Sequence, residues 1–229
     1  MELDHGLLLI LGEVPTEFEG RFNEWYDEDH APARLSVPGI VTARRYKETS
    51  MDVSSDSITQ LDPDSSDSVT YLTFYELARL DVLDGDEYRA LSAHVSSDLE
   101  VEVKQVAEFD RRVYRAIATP ESENAQDVTI CGSYVLCLWR SSEVVHSEKA
   151  VQSQTNGLLR TRRYRLDDGQ GANELALYDI ESRDAVDAII ESISLGARND
   201  GADAGAELRL FKLHRRFDQA NPPPITVNA

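Results

Sequence analysis

The sequence predicts an α+β fold made of two βαββαβ repeats, whose antiparallel sheets pack into an α+β barrel within one chain. The first half shows the order strand, helix, strand, strand, helix, strand. A strand motif then recurs at a constant offset, because 157 minus 39 and 162 minus 44 both give 118 for the pairs Gly39/Gly157 and Arg44/Arg162. A four-stranded sheet with helices on one side leaves its other face bare, and packing the two bare faces together buries both.

The elements of the first repeat follow from hydrophobic spacing. The apolar run from Gly6 to Val14 has the length and flanks of a buried strand. Thr16 and Glu19 match a capping box, so a helix is predicted from about Glu17. The later elements are predicted as a strand over 40–46, an acidic loop over 51–68, a strand over 69–77, a helix over 84–95 and a strand over 109–117.

The predicted first helix carries a core-facing aromatic stripe. His30 lies near the edge of this stripe. Proline disfavours helical geometry in the residue before it, so Pro32 predicts that the helix stops or bends with His30 in its last turn. The stripe is about 100° wide and consists of Phe18, Phe22, Trp25 and Tyr26.

The second repeat is predicted from the same patterns. Its second helix has apolar residues at i, i+3, i+4 and i+7, namely Val186, Ile189, Ile190 and Ile193. Strands are predicted over 132–140, 175–180 and 208–217, with a polar loop over 196–205. The chain is thereby divided into a first repeat over 1–118, a linker over 119–127, a second repeat over 128–218 and a flexible tail over 219–229.

The chain is strongly acidic. Its 229 residues include 42 Asp and Glu against 23 Lys and Arg, which gives a net charge of −19 and a pI of about 4.6. Nucleic acid and anionic membranes would meet repulsion over most of such a surface, so neither is expected as a partner. The amino terminus lacks a basic region and no apolar run approaches the roughly 20 residues that span a bilayer, so a cytoplasmic protein is expected.

The two cysteines are predicted to be reduced packing residues. Cys131 and Cys137 lie six residues apart in a predicted strand. That spacing puts them on the same face but roughly 20 Å apart, too far for a disulfide. A zinc site built on these two residues is not expected.

Candidate acid–base chemistry centres on His30. The reference pKa of histidine lies near neutrality, and nearby carboxylates can orient the ring and favour its charged form. Asp27 lies three residues earlier, which makes it a neighbour on a helix and the predicted orienting partner. A histidine at a helix end also complements the helix dipole without any further role, and this alternative stays open. The carboxylates of residues 27–29 point about 100° apart on a helix and cannot converge on one ion, so no metal is expected.

The strand that follows adds candidate binding groups. Arg44 and Tyr46 share one face, where the guanidinium could hold a carboxylate or phenolate and the phenol could donate to a developing oxyanion. Their recurrence as Arg162 and Tyr164 favours a structural role instead. The other candidates for substrate binding are Trp25, Tyr26, Tyr71, Tyr75 and His94, although tyrosines such as the last two are more often core aromatics.

One motif of the first half combines a helix-end His-Ala-Pro, a Pro-Gly turn and a basic strand. It runs Phe22-Asn23-Glu24-Trp25-Tyr26-Asp27-Glu28-Asp29-His30-Ala31-Pro32, then Val37-Pro38-Gly39 and Arg45-Tyr46. This motif resembles the EthD-like family of the dimeric α+β barrel superfamily, here in a tandem form with two ferredoxin-like repeats. The resemblance covers the first half well and the second only in layout.

The resemblance implies a small-molecule pocket between helices and sheet, used without metal or organic cofactor. Relatives include cyclases, dehydratases and decarboxylases of aromatic polyketide biosynthesis, cofactor-independent monooxygenases or isomerases, and proteins without known activity. The family histidine that matches His30 is a common suspect for acid–base work. A related two-domain branch binds haem, but no feature here singles out an iron-ligating histidine.

The second repeat lacks the His-Ala-Pro signature, since the position that matches His30 is Glu148. We therefore expect one active half and one degenerate half that completes the barrel. The expected function is a cofactor-independent lyase or cyclase of secondary metabolism, acting on an aromatic or polyketide-like small molecule by acid–base catalysis. The alternatives are a non-catalytic small-molecule-binding or stress-associated barrel and a cofactor-independent monooxygenase. Pairing of two barrels into a homodimer is left open.

Overall fold

The computed structural model describes residues 2–51, 67–117, 127, 129–141, 155–167, 173–200 and 206–218. These residues form an eight-stranded antiparallel closed barrel with helices on its outside, so the predicted α+β barrel is confirmed. The strands are β1 (Glu2–Pro15), β2 (Ile40–Thr49), β3 (Ser68–Leu77), β4 (Glu108–Ile117), β5 (Tyr134–Ser141), β6 (Leu158–Leu166), β7 (Asn173–Ile180) and β8 (Glu207–Asp218). The helices are α1 (Glu19–Trp25), α2 (Ala31–Leu35), α3 (Asp86–Ala93), α4 (Asp98–Val106) and α5 (Arg183–Asp200).

The barrel joins two four-stranded sheets, β1–β4 and β5–β8, along two seams. The strand order is β1-β3-β2-β8-β5-β7-β6-β4, and β4 pairs with β1 to close the ring. The β2–β8 seam is long and runs from the Thr42↔Asp218 pair to the Thr49↔Leu210 pair. The β4–β6 seam contains three residue pairs. Closure gives each of these strands two partners and removes the exposed edges on which chains aggregate.

The barrel interior is a packed core. Alternate residues of a strand face opposite sides, so Leu7 and Phe74 point inward while their neighbours Leu8 and Tyr75 point outward to the helices. The interior also contains the aromatic side chains of Tyr46, Tyr114, Trp139, Tyr164 and Phe211. In the second repeat the predicted stripe of α5 packs on the outer face of its sheet, as expected.

The internal repeat predicted from the sequence is present in the backbone. Gly39 and Gly157 occupy matching turns before β2 and β6, with φ angles of +94° and +87°. The Gly39 carbonyl accepts a hydrogen bond from the Ala78 nitrogen, just after β3, at 2.8 Å. The Gly157 carbonyl accepts the matching bond from the Glu181 nitrogen, just after β7, at 2.9 Å. Because L side chains rarely adopt such φ angles, glycine recurs here for the geometry of the turn.

Alanine at either of these glycines is expected to lower the free energy of unfolding by roughly 1–3 kcal/mol. A Cβ would also lie 2.5 Å from Val82 at Gly39 and 2.5 Å from Ala185 at Gly157. Gly20 of α1 is the matched control, because a Cβ there meets nothing within 4 Å. Gly20→Ala should stabilise the protein by about 0.5–1 kcal/mol. Thermal melts of the three variants test this, and a Gly39→Ala protein as stable as wild type would contradict it.

The start of the first helix differs from the prediction. The segment begins with a single 3₁₀ turn at Thr16–Phe18, and the expected capping box does not form. The Glu19 carboxylate instead accepts hydrogen bonds from Lys47 Nζ and the Tyr71 hydroxyl, both at 2.7 Å. A charge-assisted bond to lysine is stronger than a bond to a backbone N–H, which explains the choice of partner.

The predicted helix over 84–95 is present but shorter, as α3, and a second helix that was not predicted, α4, follows it. Ser97 caps α4 by accepting a hydrogen bond from the Glu100 nitrogen at 3.2 Å. Val95, the last residue of the predicted helix, is 51% exposed, because α3 ends before it. In the second repeat α5 extends to Asp200, over part of the predicted loop at 196–205.

Several predictions lie outside the described residues. They are most of the acidic loop and of the linker, the position Glu148, and the tail. Both cysteines are free, but Cys131 precedes β5 rather than lying within it. Within the described part of the chain, no helix combines the length and apolarity needed to cross a bilayer.

Candidate functional site

A pocket of about 390 Å³ lies on the outer face of the first sheet, between the sheet and the helices. Its volume falls in the range of roughly 300–1,000 Å³ that is typical of small-molecule sites. Four predicted site residues line it together, namely Trp25, Tyr26, His30 and Tyr75. The other lining residues are Leu8, Ile10, Arg34, Tyr88, Ser92, Lys104, Phe109 and Arg111.

His30 reaches this pocket from a π-helical turn at Tyr26–His30, which connects α1 directly to α2. Of the two outcomes predicted at Pro32, a stop or a bend, the helix therefore does not stop, and it continues through an irregular turn. Proline has no N–H to donate, and its ring clashes with the carbonyl four residues earlier in a regular helix. The wider turn, in which the Ala31 N–H bonds to the Tyr26 carbonyl five residues back, accommodates Pro32 within the first turn of α2. Such turns are frequent at functional sites.

The His30 imidazole packs against two aromatic rings. Its centroid lies 4.5 Å from that of Trp25 and 4.9 Å from that of Tyr26. Burial, together with the positive charge of Arg34, lowers the pKa of His30 from 6.5 to about 3. The charge of Glu100 favours the charged form, as expected of a nearby carboxylate, but burial and the cations outweigh it, so the ring is neutral near pH 7. The neutral ring contributes stability above pH 6.5 that is lost as the pH falls toward 3.

Three further groups in the pocket are neutral hydrogen-bond donors. The hydroxyls of Tyr26 and Tyr75 lie 3.4 Å apart, and burial raises the pKa of both phenols, so both keep their protons. The Trp25 side chain is 3% exposed, and its indole N–H has no hydrogen-bond partner among the described residues. An unpaired buried donor is costly, and this one belongs to a side chain that lines the pocket.

Asp27 does not orient His30. Its carboxylate forms a buried ion pair with Arg45 and lies 3.2 Å from His214 Nε2 and 3.4 Å from Arg215 Nη1. The wider π-turn breaks the three-residue spacing that makes such residues neighbours on an α-helix. Burial raises the pKa of Asp27, but the hydrogen bond from His214 and the charge of Arg45 outweigh it, so the pKa lies below 3.8.

Arg45 is the buried centre of this second cluster. It is 0% exposed, and its guanidinium carbon lies 4.3 Å from the Tyr26 ring centroid and 4.7 Å from that of Tyr71. The ion pair with Asp27 and the aromatic contacts compensate for the loss of water around the cation. The cluster therefore packs against the ring of Tyr26, a residue that also lines the pocket.

Arg44 and Tyr46 lie on the inner face of the barrel, which corrects their expected place in the pocket. Arg44 Nη1 donates to the Asp218 carboxylate at 3.0 Å and to the Phe217 carbonyl at 3.2 Å. The Tyr46 hydroxyl lies 3.5 Å from Cys131 Sγ. Because residues of a strand alternate between faces, Arg45, which lies between Arg44 and Tyr46, faces the helices instead.

Tyr71 and His94 also lie apart from the pocket lining. The Tyr71 hydroxyl donates to Glu19 and accepts a hydrogen bond from Asn23 Nδ2 at 2.9 Å, beneath α1. Burial raises the pKa of this phenol, and the bond to Glu19 adds to the effect. His94 is exposed and directly follows α3.

The charged lining residues were missed at the level of sequence. Arg34 follows His30 by four residues and shares its face only because the helix continues past Pro32. Arg111 lies two residues after Phe109 and shares the outer face of β4 with it. The alternation of residues along this predicted strand could have indicated this. Lys104 lies on α4, which the hydrophobic spacing did not predict.

Comparison with known proteins supports the fold and goes no further. No family model matches the sequence, and no curated protein matches it significantly. A candidate monooxygenase from Fusobacterium nucleatum superposes with a TM-score of 0.53 at 9% identity, over 93% of this chain and 95% of its own. A candidate monooxygenase from Lactobacillus acidophilus gives 0.52 at 11% identity, over 93% and 97%. A candidate chlorite dismutase gives 0.57 at 8% identity, over 92% and 95%.

These neighbours belong to the dimeric α+β barrel superfamily, and the present chain has the same fold, with both halves of the barrel supplied by one polypeptide. Identities of this size establish the fold alone. The narrower EthD-like assignment stays a prediction.

The pocket does not fit the haem that the resemblance associates with a related branch. At about 390 Å³ it is at the small end of the range for ligand sites and suits a molecule of two or three rings better than a porphyrin macrocycle. Among the described residues, no group of three or more His, Cys, Asp or Glu could hold a metal ion.

Proposed function

We propose that this protein is a cofactor-independent lyase or cyclase, of dehydratase, decarboxylase or cyclase type, which acts on an aromatic or polyketide-like small molecule in the pocket around His30. The observation that supports it most is the neutral imidazole beside the Tyr26–Tyr75 pair in an apolar pocket. Aromatic walls suit a planar substrate. The neutral donors suit an oxygen that gains negative charge, as an enolate or phenolate does.

The low pKa of His30 changes the role that we propose for it. A general base works best with a pKa near the working pH, and a value of about 3 is far below it. A neutral imidazole can instead donate its N–H to a carbonyl oxygen as that oxygen becomes an enolate, while hydroxide or water from the solvent takes the proton from carbon. Tyr26 and Tyr75 would share this task, with the Trp25 N–H as a further donor.

Enolate formation can be measured with 2-acetonaphthone in D₂O, because exchange of its methyl protons for deuterium reports the enolate whatever reaction follows. We expect the protein to accelerate this exchange and His30→Phe to lower the acceleration by roughly 100-fold or more, as for loss of an oxyanion donor. His30→Asn retains a neutral donor and should keep more of the activity than His30→Phe. The wild-type rate should show no histidine titration between pH 5 and 8, because His30 stays neutral there.

His94→Phe is the matched control, since His94 is exposed and outside the pocket lining. Exchange no faster than in buffer would overturn the proposed enolate chemistry. Equal rates in the wild-type and His30→Phe proteins would overturn the role of His30 in it. If His30→Asn lost as much of the exchange acceleration as His30→Phe, the result would indicate that His30 acts as a general base and not as a donor.

The names of the structural neighbours support a second candidate, a cofactor-independent monooxygenase. The same donors would stabilise the enolate of a substrate such as 9-anthrone, which reacts with one O₂ to give anthraquinone and water. An oxygen electrode distinguishes the two candidates. Oxygen uptake with 9-anthrone that depends on His30 would favour the monooxygenase, and enolate exchange without uptake would favour the lyase or cyclase.

A further inference from the structure

The charged residues that line the pocket are all basic, in a protein where acidic residues outnumber basic ones by 42 to 23. They are Arg34, Lys104 and Arg111. Of the described residues that form the lining, none is an aspartate or glutamate. The lining is therefore apolar, aromatic and basic, whereas the chain as a whole is acidic. This arrangement indicates a ligand with a planar apolar body and a negative charge.

Arg34 is held in place on the wall of the pocket. Its Nη1 donates to Ser92 Oγ at 2.8 Å, and its guanidinium carbon lies 4.9 Å from the centroid of the Tyr88 ring. Neither contact neutralises its charge, so donor groups of the guanidinium remain for an anion. A guanidinium fixed by stacking loses little further freedom when it binds a carboxylate.

The two other cations differ in how free their charge is. Lys104 Nζ lies 2.5 Å from the Glu100 carboxylate, whose pKa is about 2 because this bond and those from Ser96 outweigh the effect of burial. Arg111 forms no ion pair with any other described residue, and it extends from the outer face of β4 beside Phe109. Arg34 and Arg111 therefore carry most of the uncompensated positive charge.

We propose that the ligand of this pocket is an aromatic or polyketide-like acid, whose carboxylate is bound by Arg34 and Arg111 while its rings lie against Trp25 and Tyr26. This inference rests on the proposed function, because it assigns the substrate class of the same site. Bonds between a guanidinium and a carboxylate are about twice as strong as neutral hydrogen bonds, and they can be bidentate. The two arginines would thus select the acid over its neutral analogue.

The test compares naphthalene-2-carboxylate with 2-naphthalenemethanol by isothermal titration calorimetry. The two probes share their rings and differ in charge. We expect the wild-type protein to bind the carboxylate at least roughly tenfold more tightly, and Arg111→Gln to remove most of this preference. Arg34→Gln should act in the same way, and Arg111→Gln carries the test if that variant fails to fold.

Arg115→Gln is the control, because it makes the same change in net charge on the same outward face of β4. Arg115 pairs with Asp167 at 3.3 Å and does not line the pocket. Its variant should keep the full preference for the carboxylate.

Each outcome bears on one proposal or on both. Equal affinity for the two probes would overturn the selection for acids and leave the aromatic pocket and its enolate chemistry standing. Binding of neither probe would overturn both proposals. An equal loss of preference in Arg115→Gln and Arg111→Gln would also overturn the inference, because the effect would then come from net charge rather than from contact.

Discussion

Replacement of Asp179 by alanine is expected to lower the free energy of unfolding by about 3–5 kcal/mol, because it leaves two buried arginines with only one carboxylate, that of Glu76. Asp179 is 0% exposed inside the barrel and accepts hydrogen bonds from Arg160 Nε at 2.9 Å and Arg162 Nη2 at 3.1 Å. Total stabilities are only about 5–15 kcal/mol, so this is a large fraction of the whole.

The reason for this size is the network to which Asp179 belongs. Glu76 of the first repeat accepts bonds from Arg162 Nη1 at 2.7 Å and Arg160 Nη2 at 3.2 Å, so two carboxylates and two guanidinium groups balance each other across the interior. Burial lowers the pKa of Arg162, but the charges of Asp179 and Glu76 outweigh it and hold the pKa above its usual range. These contacts connect the two repeats.

Urea unfolding of Asp179→Ala measures the effect, with Asp187→Ala as the control. Asp187 is exposed on α5 and its loss makes the same change in charge, so it should shift stability by no more than about 0.5 kcal/mol. A variant in which Glu76 and Asp179 become leucine and both arginines become methionine should recover much of the loss, because no charge is left unpaired. Equal stability of Asp179→Ala and Asp187→Ala would contradict the argument.

Asp27→Ala is expected to destabilise the protein by about 3 kcal/mol or more, because it leaves Arg45 buried without its counter-ion. The matched control is Glu24→Ala, an exposed position of α1 with the same change in charge. In a double-mutant cycle, Asp27→Leu with Arg45→Leu should cost at least roughly 2 kcal/mol less than the sum of the single changes. Chemical unfolding of the four proteins measures this coupling.

The stability that the Asp27–Arg45 pair contributes is expected to depend on pH. The pKa of Asp27 is lowered in the folded state, so its contribution is complete above its ordinary value of 3.8 and is lost as the pH falls through the lowered value. The Asp27→Ala protein should lack this acid-dependent loss. If Asp27 instead served only to orient His30, its removal would change the titration of His30 and leave the stability nearly unchanged, which would contradict our assignment.

Much of the fold could be predicted because its signals are local. Alternation along β2 put Arg44 and Tyr46 on one face, and the structure has this arrangement. The sequence did not show which face meets the helices, since a period of two leaves that choice to the packing of the sheet. The expected place of Arg44 was wrong for this reason.

The candidate site was predictable only in part. Trp25, Tyr26 and His30 are close in sequence and lie together in the pocket. Arg111 joins them from a strand that is distant in sequence, and Arg34 joins them because the helix continues past Pro32. Their convergence therefore depends on the tertiary structure. Asp27 pairs with Arg45 rather than His30 because of the π-turn at Tyr26–His30. A proline in the sequence indicates an irregular helix but not which kind of turn forms.

By itself, the sequence determined the tandem barrel, the glycine turns and the aromatic helix, because periodicity and backbone conformation are properties of neighbouring residues. Tertiary structure alone decided that His30 is neutral, that Asp27 pairs with Arg45, and that the charged lining residues are all basic. The physical reason is that burial and charge at a site depend on every element packed around it, and no local pattern in the chain records that environment.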